Sequence, residues 1–146
     1  FDYMIAKQLI TDDIMPLKTS ETGTEALSWM EDYKLSHLPI VNNEAFLGLI
    51  SDTDIYTLNT FDEALGNHKL SLTKTFVTEY QHIFDVVKLV SEQKLSLIAV
   101  LDEKDRYLGS ITMRGLIRAF SEMGSIFWLY SLPTFLSLMS LVTRST

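Results

Sequence analysis

The sequence predicts a mixed α/β (α+β) fold: two βαββα repeats packed as a pseudo-two-fold pair on small sheets, followed by an apolar C-terminal tail. Three observations predict it. Lys34-Leu35-Ser36 recurs as Lys94-Leu95-Ser96, 60 residues on. Leu47-Gly48-Leu49-Ile50-Ser51 recurs as Leu108-Gly109-Ser110-Ile111-Thr112, 61 residues on, the extra residue falling in a turn. Between these markers, helical and strand-like apolar spacing alternate in the same order in both copies. One unit of this size leaves an apolar sheet face exposed, and two units stacked together bury it. The expected boundaries are residues 4–66 for the first repeat, 67–123 for the second and 124–146 for the tail.

In the first copy, Asp2 to Met15 is a lead-in that Pro16 ends. Thr22 and Glu25 have capping-box spacing ahead of Ala26, Leu27, Met30 and Tyr33, which share one face of a helix expected over about 23–34. Leu38 to Val41 and Phe46 to Ile50 read as strands around an Asn42-Asn43 turn. Ser51 can cap a further helix over about 52–62. In the second copy a short strand is expected around Phe76. A helical stripe follows at Ile83, Val86, Val87 and Val90, then strands at Leu97 to Leu101 and Tyr107 to Ile111 about an Asp102 to Asp105 turn. A helix carrying Leu116, Ile117 and Phe120 closes the copy. Gly48 and Gly109 stand inside strands, where glycine marks a bulge or a close backbone approach.

Composition narrows the function classes. Of 146 residues, 47% are apolar and 21% charged, as expected of a globular chain. A net charge of −7 argues against nucleic acid as a partner. With no cysteine, disulfides and thiolate metal sites are excluded, and His37, His68 and His82 lack metal-ligand spacing, so no metal site is expected. No secretory leader is seen ahead of the first repeat, which points to the cytoplasm; Phe1 in place of methionine points to a truncated chain or an added residue. No sequence pattern of a catalytic nucleophile or a glycine-rich phosphate loop is found, so no catalytic residue is assigned.

Residues 4 to 123 resemble a pair of CBS domains, the Bateman module. The resemblance rests on Asp13-Ile14-Met15-Pro16, on Leu35-Ser36-His37-Leu38-Pro39-Ile40-Val41, and on Gly48-Leu49-Ile50-Ser51-Asp52-Thr53-Asp54-Ile55, with a second copy about 60 residues later. The layout is most similar to stand-alone bacterial CBS-pair proteins of the acetoin-utilisation type. The resemblance implies a regulatory sensor and not an enzyme. Such a sensor takes AMP, ADP, ATP or S-adenosylmethionine, with or without Mg²⁺, in a cleft between the copies, needs no other cofactor, and assembles as a homodimer or higher homo-oligomer.

Two readings of Ser51-x-x-Asp54 stand side by side. A helix N-terminus with a hydroxyl suits a phosphate, and a carboxylate three residues on can accept from two ribose hydroxyls. The same spacing also makes a capping box that only satisfies its own helix. The resemblance implies an adenosyl pocket of Asp54, Ser51 and Thr53, with His37 towards the phosphate, where a histidine would respond to pH. Leu38 and Pro39 would line the adenine, and Ile14 and Met15 would close its other side. In the second copy Thr112 keeps the hydroxyl but Gly115 replaces the carboxylate, so one well-formed site per chain is expected, to which Arg114 can offer a positive charge. The rival class is a ligand-free interaction or oligomerisation module in which Ser51 and Asp54 are only a cap.

From Met123 to Thr143 there is no charged residue. The length suits a membrane span, but four serines, two threonines and Pro133 dilute it. A dimer arm with Leu129, Leu132, Leu136 and Met139 at heptad-like spacing, a truncated next domain and a non-native segment are the other readings. A membrane partner is not expected.

Overall fold

The computed structural model describes residues 4–122, 133, 136, 137 and 139–143. After a 3₁₀ turn at Ala6–Leu9 come α1 (Gly23–Tyr33), β1 (His37–Asn42), β2 (Ala45–Ser51) and α2 (Asp52–Tyr56). The second repeat supplies β3 (Phe76–Thr78), α3 (Ile83–Glu92), β4 (Leu97–Leu101), β5 (Tyr107–Thr112) and α4 (Met113–Glu122). The expected mixed fold on two small sheets is present: β1 and β2 form an antiparallel hairpin, and β3-β4-β5 form a second sheet with β3 parallel to β4.

Local chemistry accounts for the elements. Thr22 Oγ1 accepts the Glu25 N–H at 3.2 Å and starts α1, whose Ala26 and Met30 are buried. The β1–β2 turn is two residues long, with Asn43 and Glu44 at φ 46° and 73°, the positive pair a tight hairpin needs. Every residue of β4 is buried, so this strand lies at the centre of the core. Ile83, Val86 and Val90 pack against that core from α3, and Leu116 from α4.

Two elements differ from expectation. The first strand of repeat one shrinks to a single parallel bridge, Leu17 with Ile40. Leu17 donates to the Pro39 carbonyl at 2.8 Å and accepts from the Val41 N–H at 2.8 Å. The preceding Pro16 has no N–H to extend the ladder. The helix expected over 52–62 stops at Tyr56, because the chain turns back to cover α1: Phe61 O accepts the Thr24 N–H at 3.1 Å.

Equivalent backbone bonds brace the start of each repeat. Leu65 and Gly66 donate to Glu21 and Thr19 at 2.8 and 2.9 Å, bracing the start of repeat one. Ala6 and Lys7 donate to Gln81 and Glu79, both at 2.8 Å, bracing repeat two in the same way. Further along, Thr73 bridges Leu49 of β2 and Thr11 bridges Ser110 of β5. Each lead-in therefore adds an edge to the other repeat's sheet. Phe46 joins the two hairpins, its ring centre 6.5 Å from Tyr107 and 6.4 Å from Phe76.

Of the tail, Pro133, Leu136, Ser137 and residues 139–143 are helical, and Leu141 packs partly buried on the core. The remaining tail positions, including Leu129 and Leu132 of the heptad-like series, lie outside the described residues. Among the described residues no helix is long and apolar enough to cross a membrane.

Candidate functional site

The repeated Lys-Leu-Ser builds the junction between the repeats. Lys34 and Lys94 both adopt left-handed backbone, φ 59° and 55°, immediately after α1 and close after α3. Leu35 then donates to the Met30 carbonyl at 2.9 Å, and Leu95 to Val90 at 3.0 Å, closing both helix ends alike. The two closures bring Ser36 and Ser96 together. The Ser36 N–H donates to Ser96 Oγ at 3.2 Å, and the Ser96 N–H donates to His37 Nδ1 at 3.2 Å. Nδ1 also lies 3.0 Å from Ser96 Oγ and 3.1 Å from Ser36 Oγ.

A backbone N–H can only donate, so His37 Nδ1 accepts and the neutral ring carries its proton on Nε2. Burial pushes the His37 pKa below its usual 6.5, while the Asp52 and Asp54 carboxylates draw it back up. The same two serines hold the starts of two helices. Ser36 O accepts the Asp52 N–H and Ser96 O accepts the Met113 N–H, each at 3.0 Å.

Those helix starts differ in charge. At α2, Asp54 Oδ2 accepts the Ser51 N–H at 3.0 Å and Ser51 Oγ accepts the Asp54 N–H at 3.1 Å, a closed capping box. Thr53 Oγ1 lies 2.8 Å from Ser51 Oγ, and Asp52 Oδ1 accepts the Thr53 N–H at 2.7 Å. Two carboxylates thus stand at the positive end of α2. At α4, Thr112 Oγ1 accepts the Gly115 N–H at 2.9 Å and the first turn carries no acid. No acid of its own first turn opposes its positive end, and Arg114 adds to it.

A cavity of about 910 Å³ opens at the start of α4. Its walls come from both repeats: Thr112, Arg114 and Gly115 on one side, Ile10 to Ile14 of the lead-in and Tyr33 to Leu35 at the end of α1 on the other, with Ser96 between. Arg118 and Lys34 add positive charge, and Asp12, Asp13 and Asp32 add acceptors. Leu9, Ile10, Ile14 and Ile117 supply apolar surface. Such a cleft can seat a molecule with a flat apolar body, hydroxyls and an anionic end.

Of the residues expected at the ligand, Ile14, Thr112 and Arg114 line this cavity together. Ser51, Thr53 and Asp54 are gathered at the start of α2, away from it. Met15 is 59% exposed and does not line it. Leu38 is fully buried in the core and Pro39 is buried in β1, its carbonyl holding Leu17. His37 meets Ser96 instead of facing the cavity. A smaller cavity of about 500 Å³ lies between α1 and α2, with Glu31, Asp52 and Tyr56 in its wall. Among the described residues no group of His, Asp and Glu is placed to hold a metal ion.

Sequence reasoning did not single out Ser96, Lys34, Arg118 or the acids of the lead-in. The signal for Ser96 was present: Lys-Leu-Ser is the longest string that is identical at equivalent places in the two copies.

The model of the CBS domain family matches residues 6–58 and again 73–122. A curated relative, inosine-5'-monophosphate dehydrogenase of Methanocaldococcus jannaschii, is 24% identical over 116 residues, covering 77% of this chain and 23% of the relative. The chain spans less than a quarter of the length of the curated relatives it matches. Among solved structures, a CBS domain pair/ACT domain protein from Thermotoga maritima superposes with TM-score 0.71 at 27% identity, covering 82% of this chain and 98% of that one. CBSX2 in complex with AMP gives TM-score 0.69 at 20% identity, covering 83% and 98%. A CBS domain pair in complex with 5'-methylthioadenosine and S-adenosyl-L-methionine gives 0.66 at 20% identity, covering 82% and 98%. At 20% identity the likeness is one of fold.

Proposed function

Since the chain belongs to the CBS domain family, in two copies side by side, we propose that it is a regulatory module sensing an adenosyl ligand, AMP, ADP, ATP or S-adenosylmethionine, in the cleft between its repeats. The observation that carries this reading is the 910 Å³ cavity at the start of α4, whose volume falls in the usual range for small-ligand sites. Thr112, Arg114 and the open helix end would take the anionic end of the ligand, and Ile14 the base. The lead-in acids would take its hydroxyls. Ser51, Thr53 and Asp54 act in this reading as a helix cap. Two fold relatives with AMP, and with 5'-methylthioadenosine and S-adenosylmethionine, support the ligand class. Tyr56 and Ile117, 62% and 64% exposed at equivalent places of the two repeats, support the homo-oligomer that belongs to this reading. A cytoplasmic location is part of it too.

A ligand acts on a partner only by binding one arrangement of the module better than another. The second reading, a ligand-free interaction module, rests on the exposed Tyr56 and Ile117 alone.

The experiment is a thermal-shift and calorimetric titration with AMP, ADP, ATP and S-adenosylmethionine, each with and without Mg²⁺. Ligand at 100 times its Kd stabilises by about 2.7 kcal/mol. Stabilisation that is lost in Arg114→Glu and kept in Asp54→Ala supports the reading. A folded chain that none of the four stabilises moves the assignment to the interaction module.

A further inference from the structure

A continuous line of hydrogen bonds joins the first turn of α2 to the first turn of α4. It runs from the Asp52 N–H to Ser36 O, from the Ser36 N–H to Ser96 Oγ, and from Ser96 O to the Met113 N–H, with the Ser96 N–H held by His37 Nδ1. Every other group in the line is a backbone amide or a serine hydroxyl, so His37 is its one titratable member. Ser96 also stands in the wall of the 910 Å³ cleft.

We propose that His37 is a proton-operated latch between the two repeats: its unprotonated Nδ1 holds the Ser96 peptide, and protonation releases it, loosening the junction at the floor of the cleft. The chemistry is one-directional. Once Nδ1 carries a proton it can no longer accept from an N–H, and two donors then face each other at 3.2 Å. The Ser36 and Ser96 hydroxyls can turn to accept from the new N–H, but the Ser96 amide loses its partner in a half-buried place.

The charged groups acting on the ring come from α2, where Asp52 and Asp54 favour the protonated form. From repeat two the ring meets the uncharged Ser96. Lys34, beside Ser36 in the chain, and Arg114, after Met113, line with Ser96 a cleft wall that the ring does not face. Burial opposes the charged ring more than the two carboxylates favour it, so protonation belongs below the ordinary histidine value. His37 is a positioning residue in this account: it acts on the cleft through Ser96 and touches no ligand. The latch holds whatever the cleft binds, so it stands or falls separately from the adenosyl assignment.

The test is heteronuclear NMR on the ¹⁵N-labelled chain, titrated from mildly alkaline to mildly acidic pH, with no ligand added. The expected result is a neutral His37 with its proton on Nε2 at the alkaline end. The amide signals of Ser96, Asp52 and Met113 then move together with the midpoint of the His37 ring. In His37→Asn, whose Oδ1 can replace the Nδ1 acceptor, the Ser96 amide signal stays in place across the same range. A neutral ring protonated on Nδ1, or a Ser96 amide that ignores the ring titration, overturns the latch. So does a Ser96 amide that still titrates in His37→Asn.

Discussion

Leu72 lies across Gly48 so closely that a Cβ on the glycine would come 2.7 Å from Leu72 Cβ. Gly109 has the same relation to Ile10, whose Cγ2 occupies the space a Cβ would need. Both glycines take positive φ, 149° and 159°. The repeated glycine is thus the crossing point where each lead-in passes over the other repeat's hairpin.

Gly48→Ala is expected to destabilise the chain by about 1–3 kcal/mol, through overpacking against Leu72 and strain at a backbone conformation that only glycine adopts freely. Gly109→Ala should also destabilise, through Ile10 Cγ2, a methyl that rotation of the side chain can partly withdraw. Denaturant midpoints for the two variants and wild type check this. Midpoints within error of wild type would mean that the lead-ins cross elsewhere.

Asp54→Ala removes half of the capping box of α2. The expected loss is about 1 kcal/mol of stability. If Asp54 is a cap and nothing more, AMP affinity is unchanged beyond that loss. A calorimetric titration of this variant separates the roles, because loss of AMP binding in a folded protein would return the ribose contact to Asp54.

Much of this fold was legible because the chain states it twice. The Thr22 and Ser51 caps, the helical stripe of α3 and the central strand β4 follow from local spacing, and each is present. The exchange of lead-ins was not legible. Ile10 and Leu72 are ordinary apolar residues in sequence, and only the three-dimensional path shows that each crosses the other repeat. The site divided in the same way. Ser51 and Asp54 look alike as a cap and as a ligand pair, and the structure shows the cap, with Asp54 Oδ2 accepting from the Ser51 N–H. Thr112 and Arg114 were found by copying the pattern of Ser51 onto the second repeat. The glycine that replaces the carboxylate there leaves the first turn of α4 without an acid.

The His37 pKa lies below 6.5 because burial outweighs the pull of Asp52 and Asp54. Between its folded value and 6.5 the unfolded chain therefore binds more protons, so stability rises with pH through that window and falls on acidification. Melting temperature measured from about pH 8 down to about pH 5 should drop in wild type by more than in His37→Asn, the difference being the contribution of this one ring. Parallel curves for the two proteins would remove His37 as its source.

Gly115→Asp rebuilds on α4 the box that α2 already has. Gly115 occupies the third residue of its helix, as Asp54 does, and its N–H is capped by Thr112 as that of Asp54 is by Ser51. A new Cβ meets Thr112 Oγ1 at 3.2 Å, a side-chain contact that a small rotation relieves. Losing a helical glycine is worth about 0.5–1 kcal/mol, and a carboxylate in an acid-free first turn about 0.3–1 kcal/mol. The variant is therefore expected to melt a few degrees higher than wild type. Its AMP affinity should fall, because the carboxylate neutralises the helix end and repels an anion bound beside Arg114. Melting and titration of the one variant test both halves of the argument. A lower melting temperature would mean that α4 does not start as α2 does. Tighter AMP binding would mean that the new carboxylate holds the ribose, and that the anionic end of the ligand does not lie at the start of α4.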